Sequence, residues 1–224
     1  MRFAVLMFPG SSGMECVRII EKFLKQPVSK VWHRERDLSN YDVIILPGGF
    51  SYGDYLRPGA LAALSPVIDG VRVAAEHGKL ILGIGNGFQI LLEAGLLPGT
   101  VLPNNHQQFR CGIQRVRVEQ RETPFTREYQ VGEVISLPFA HGHGNYYCDP
   151  ETLQSLQKSK QIIFRYYGEN PNGSLDGIAG LVNKTGNVLG TMLRPERAVA
   201  LGAGFGGERI FTSMLRFGRE KGVI

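Results

Sequence analysis

The chain has 224 residues, 43% of them hydrophobic and 20% charged, a balance ordinary for a globular protein that buries one sizeable core. Its formal charge of +5 comes from scattered residues. "HRERD" at 33–37 and "RFGREKG" at 216–222 mix signs, no basic run interleaved with aromatics marks a nucleic-acid surface, and no apolar stretch reaches the ~18 residues of a membrane span.

The first apolar run, Phe3 to Phe8, stops at Pro9-Gly10 without a small-residue cleavage site, and reads as a first strand rather than a secretory leader. "MECVRIIEKFL" then carries apolar residues at helical spacing, and Val28 to Trp32 and Val43 to Leu46 read as strands. "ALAALSPVIDGVRVAAEHG" is helical again, with Pro66 starting or kinking it. Leu80 to Ile84 is the next strand. This alternation predicts a parallel sheet covered by helices on both faces.

From about residue 111 the pattern changes to paired extended segments, Ile113 to Glu119 and Val134 to Phe139, which read as antiparallel additions. A helix-like "PETLQSLQKS" follows. Strands are expected at Gln161 to Tyr167, Gly177 to Val182 and Asn187 to Met192, and a last helix from Glu208 to Lys221. No repeat or low-complexity linker interrupts the chain, so residues 1–224 are read as a single domain. Cys16, Cys111 and Cys148 are odd in number and lack paired spacing; they are expected to be reduced thiols in a cytoplasm, packed as small buried hydrophobes.

Open parallel sheets place their sites where strand ends meet helix N-termini, and two stretches stand at such ends. In "VIILPGGFSYGDYLRPGA", Gly48 and Gly49 let the backbone turn and aim N–H groups at an anion or a developing oxyanion. In "LGIGNGFQILLEAGLLPG", Gly83 to Gly87 have the spacing of a nucleophile elbow, whose apex residue is strained and displayed and whose next amide, that of Asn86, is a further oxyanion donor. The apex here is Gly85, which has no side chain.

Together with "MRFAVLMFPGSSG", "LPFAHGHGNYYCD", "NPNGSLDGIAGLVNKTGNVLGTM" and "RPERA", in this order, these stretches resemble the glutamine amidotransferase subunits of phosphoribosylformylglycinamidine synthase over nearly the whole chain. The resemblance implies a flavodoxin-like class I amidotransferase fold, α/β with a mostly parallel central sheet and an antiparallel extension. It also implies a Cys-His-Glu triad that hydrolyses glutamine and passes ammonia to a large synthetase subunit, with a small accessory subunit in the same complex. No cofactor or metal is implied in this chain, since ATP and magnesium belong to the synthetase.

Carried over by position, the family's Cys falls on Gly85, its His on Arg194 and its Glu on Glu196; glutamine, if bound, would lie near Gly48, Gly49, Asn86 and Gln89. Glycine has no atom that attacks, and arginine stays protonated at any working pH. Loss of a nucleophile costs on the order of 10⁴ to 10⁶ in turnover. The resemblance therefore predicts an impaired or inactive glutaminase; the alternative is a degenerate scaffold or anion-binding module without glutamine hydrolysis.

Glycine at the apex removes the strain of a displayed residue, and Arg194 beside Glu196 is expected to form an ion pair in the space of the histidine and carboxylate. A further departure is "AHGHG", where family sequences carry an acidic residue at the place of His143. His141 and His143 read as surface or hydrogen-bonded loop residues. Their loop can face the site, and contact to the synthetase is the alternative role; nothing in the spacing places one of the three thiols within hydrogen-bond reach of a histidine and near the Gly49 and Asn86 amides.

Overall fold

The computed structural model describes residues 1–201 and 205–222. Strand β1 (Phe3–Met7) leads to helix α1 (Gly13–Arg18), which continues as one π-helical turn at Ile19–Phe23, and then to β2 (Val28–Trp32) and β3 (Val43–Leu46). Proline lacks an N–H and fixes φ, so Pro66 breaks the next helical stretch into α2 (Ala60–Ala63) and α3 (Val67–Glu76). β4 (Leu80–Ile84) turns at once into α4 (Asn86–Glu93), followed by β5 (Thr100–Leu102), β6 (Arg110–Val118), β7 (Val134–His141) and β8 (Asn145–Tyr147). Asp149 caps α5 (Pro150–Lys158) by accepting from the Thr152 N–H at 2.8 Å. The remaining elements are β9 (Ile162–Tyr166), β10 (Ile178–Val182), β11 (Val188–Thr191), α6 (Pro195–Leu201) and α7 (Glu208–Glu220).

One nine-stranded sheet has the order β2-β1-β3-β4-β11-β10-β9-β6-β7. The run from β2 to β11 is parallel, and β10, β9, β6 and β7 continue it antiparallel, as the change of pattern predicts. Alternate residues of the parallel strands enter two cores. Phe3, Val5, Ile45 and Leu82 pack with Cys16, Ile210 and Phe211 on the face of α1 and α7. Ala4, Leu6, Ile44 and Ile81 pack with Val67, Val71 and Leu91 on the face of α3 and α4. Strands buried on both faces read as unbroken apolar runs, which is why β3 and β4 are recognisable from sequence.

Two features lie outside the sequence expectations. β5 and β8 form a small antiparallel sheet of their own, too short for a visible alternation. α6 is a helix of seven residues opening on Pro195, which suits the first turn of a helix.

Candidate active site

The two glycine corners meet at the C-terminal ends of β3 and β4. At the first, Gly49 has φ of 122°, and a Cβ there would lie 2.7 Å from Gly10 O and Ser11 Cα, so only glycine fits. The bonds of this corner run from Phe50 N to Gly10 O and from Ser12 N to Gly48 O, and among the described residues no acceptor reaches the Gly49 N–H. At the second, Gly85 precedes α4 with φ 54° and ψ −108°, a region costly for residues with a side chain. Its neighbours are small for a packing reason: a Cβ on Gly87 would collide with the Leu46 carbonyl, and one on Gly83 with Leu91. A Cβ on Gly85 would meet only Arg194 Cδ at 3.6 Å and Gly48 Cα at 3.9 Å. The apex has room for a side chain and carries none.

Arg194 lies across this apex. It is 5% exposed, and its guanidinium rests on Gly48, where a Cβ would come within 2.7 Å of Cζ. Nε donates to Glu196, and Nη2 donates to Glu15 Oε2 at 2.8 Å and to Ser12 Oγ at 3.3 Å. The expected Arg194–Glu196 ion pair is therefore present, with a third member, Glu15, that sequence reasoning missed because α1 lies at the other end of the chain. Glu196 is 2% exposed; burial pushes its carboxyl up, with Arg194 opposing, and its Oε2 has no partner among the described residues. Cys16 packs nearby, fully buried, and burial raises its thiol well above the ordinary value.

A second set of bonds ties the corners together. Ser51 N donates to Asn86 Oδ1 at 3.0 Å, Asn86 Nδ2 donates to Gln89 Oε1 at 2.9 Å, and Gln89 Nε2 donates to His143 O at 2.8 Å. Asn86 Nδ2 also faces Asp54 Oδ1 at 3.3 Å. Asp54, Asn86, Gln89 and His143 border a cleft of about 340 Å³ that reaches Gly49, Gly85, Arg194 and Arg197. A groove elsewhere, bordered by Leu96, Pro98 and Lys184, is larger at about 740 Å³, but it holds neither corner. Among the described residues no cluster of three or more His, Cys, Asp or Glu could hold a metal ion, and no helix is long and apolar enough to cross a membrane.

Residues 1–203 match the family model described as the CobB/CobQ-like glutamine amidotransferase domain. The chain belongs to the CobB/CobQ-like glutamine amidotransferase family. Its fold superposes on PurLQS from Thermotoga maritima with a TM-score of 0.87 and 42% identity, covering 96% of this chain and 98% of that one. That match bears out the resemblance to the glutaminase subunits of phosphoribosylformylglycinamidine synthase. A glutamine amidotransferase from Thermotoga maritima (TM-score 0.63, 15% identity, 100% of this chain and 86% of that one) and the glutaminase domain of Trypanosoma brucei CTPS with bound acivicin (0.63, 12%, 96% and 94%) share the fold.

In this amidotransferase the cleft gathers more than the spacing suggests. His141 and His143 border it, and Cys111, which no spacing brought to the corners, borders it with them. The reason is register: β6 and β7 pair with Cys111 opposite Ala140 and Arg110 opposite His141, and the loop after β7 turns back over α4. Cys111 is also exposed, unlike Cys16 and Cys148, so it is not the buried hydrophobe expected. His141 is a strand-end residue 4% exposed, not a surface loop residue. Its Nε2 approaches Asn172 Nδ2 at 3.5 Å while Nδ1 has no partner among the described residues, and burial lowers its pKa to about 4. Among the described residues no hydrogen bond joins Cys111 to either imidazole.

Proposed function

We propose that this chain serves its complex as a glutaminase-type subunit that contributes little or no glutamine hydrolysis. It would assemble with a small accessory subunit and with a large synthetase subunit, which binds ATP and magnesium and converts formylglycinamide ribonucleotide to formylglycinamidine ribonucleotide. The single observation that carries this reading is the apex itself: Gly85 presents no nucleophile, and the guanidinium over it is committed to Glu196 and Glu15. A guanidinium bound to two carboxylates does not accept the proton of an attacking thiol. The free state of all three cysteines supports a reducing, cytoplasmic compartment.

The test is glutamate release from glutamine by the chain with its synthetase subunit, beside the double variant Gly85→Cys, Arg194→His. Release by the double variant alone supports the reading, and equal release by the native chain overturns it. Synthesis from free ammonia, but not from glutamine, by the native complex is the companion result.

One observation favours a second reading, in which chemistry has moved within the cleft: the exposed Cys111 thiol borders it together with two imidazoles. This reading requires a glutamine-analogue electrophile to leave a covalent adduct on Cys111. An intact-mass spectrum without that adduct removes it.

A further inference from the structure

Among the described residues Asp54 is the one carboxylate that borders the cleft. Elsewhere around the corners each carboxylate has its cation: Glu15 and Glu196 share Arg194, and Glu93 takes Arg57. Asp54 has none within ion-pairing distance among the described residues, and its hydrogen bond is the 3.3 Å approach of Asn86 Nδ2 to Oδ1.

The carboxylate is also held in place. Tyr52, Gly53 and Asp54 all have left-handed backbone, with φ of 54°, 68° and 55°. For tyrosine and aspartate this conformation persists only where the surroundings enforce it. The enforcement is visible: Tyr52 N donates to Pro9 O at 2.8 Å and Gly53 N to Phe50 O at 2.9 Å. The Tyr52 hydroxyl lies 2.9 Å from His33 Nδ1 and 3.2 Å from Ser65 Oγ. The backbone thus fixes Asp54 at the cleft wall while its second oxygen makes no contact with protein donors.

We propose that Asp54 is the cleft's receptor for a primary ammonium group, either the α-ammonium of a glutamine-like amino acid or ammonium ion itself. A half-buried carboxylate loses part of its hydration, and a cationic donor offsets that loss through a charge-assisted hydrogen bond. Burial holds the carboxyl up to about 6, so at neutral pH it is ionised and uncompensated. The cations of the same cleft, Arg194 and Arg197, stand with Glu15 and do not reach it. The inference deepens the family reading, which supplies only the choice of ligands to try.

The experiment is calorimetric titration of the full chain at neutral pH with glutamine, with glutaramate, which lacks the α-amino group, and with ammonium chloride against a potassium chloride control. Each titration is repeated on Asp54→Asn. Asparagine tolerates left-handed backbone, so this variant keeps the corner, and a melting temperature no lower than that of the native chain verifies it. If the native chain binds glutamine about tenfold or more tightly than glutaramate, and Asp54→Asn binds the two alike, the α-ammonium is the ligand group. A saturable ammonium signal abolished in Asp54→Asn, without preference for glutamine, assigns the free ion. Unchanged affinities in Asp54→Asn overturn the proposal, as does the absence of binding by all three ligands to a chain that docks with its synthetase subunit. Failure to dock would count against the role in the complex instead, so the two failures are distinguishable.

Discussion

Arg194 Nη2 and Glu15 Oε2 meet at 2.8 Å across 179 residues of chain. The same guanidinium reaches Glu196, so a cation at the head of α6 joins α1 to the end of the sheet where glutamine chemistry belongs in the family. A buried pair is costly to break from one side only, because the remaining charge stays dehydrated.

Arg194→Ala is therefore expected to lower unfolding free energy by about 3 kcal/mol at neutral pH, measured by urea denaturation. In a Glu196→Gln background the same substitution should cost less than half as much. The loss should also shrink in acid, because the Glu196 carboxyl is already pushed up by burial and protonation removes its orphaned charge. Equal costs in both backgrounds would show that Arg194 acts through Glu15 and its packing on Gly48, not through Glu196.

Gly85→Cys tests the apex without the base. Space exists for the new Cβ, whose nearest neighbours would be at 3.6 and 3.9 Å, so the cost comes from φ of 54° and is about 1–3 kcal/mol. For a chain of this size the melting temperature should fall by roughly 2–10 °C. Glutamine hydrolysis should stay absent while Arg194 remains, and a melting temperature that does not move would deny strain at the apex.

Acid should act on two cleft residues in opposite directions. His141 has a folded pKa lowered from 6.5 to about 4, so between these values the unfolded chain holds the proton. Its contribution is complete above pH 6.5 and is lost as the pH falls towards 4, by roughly 3 kcal/mol. Asp54, raised from 3.8 to about 6, takes its proton first in the folded state and gains stability as the pH falls through that window. Unfolding free energies measured from pH 6.5 to 4 should fall less steeply for His141→Gln than for the native chain, and more steeply for Asp54→Asn. Parallel slopes for all three proteins would refute both assignments.

The thiols should separate cleanly. An alkylating reagent is expected to add once to the native chain, at Cys111, and three times after denaturation, since Cys16 and Cys148 are buried. Peptide mapping identifies the site. Saturating glutamine should slow the native reaction, because Cys111 borders the cleft; unaltered kinetics would place bound glutamine elsewhere.

What sequence made legible follows from range. Val43–Leu46 and Leu80–Ile84 announce buried parallel strands because every residue is apolar, and the glycine spacing announces the elbow because Gly83 and Gly87 flank a tight strand-to-helix corner with no room for larger residues. Glu15 could not be joined to Arg194 in advance, because their contact depends on how α1 and α6 pack on one face of the sheet. Cys111 and His141 come to the cleft through the pairing register of β6 and β7, which local pattern does not specify. Asp54 was hidden for another reason: left-handed backbone at Tyr52 and Asp54 is imposed by His33, Ser65 and Pro9, not by the residues' own preferences.

The bond from Gln89 Nε2 to the His143 carbonyl joins the helix at the elbow to the loop on the opposite bank. Both banks are thus tied together before a small molecule arrives, so a ligand that leaves this bond intact meets a cleft already assembled. Analogues that fit should then enter at similar rates and differ in how long they stay, so residence time, more than speed of capture, will rank them.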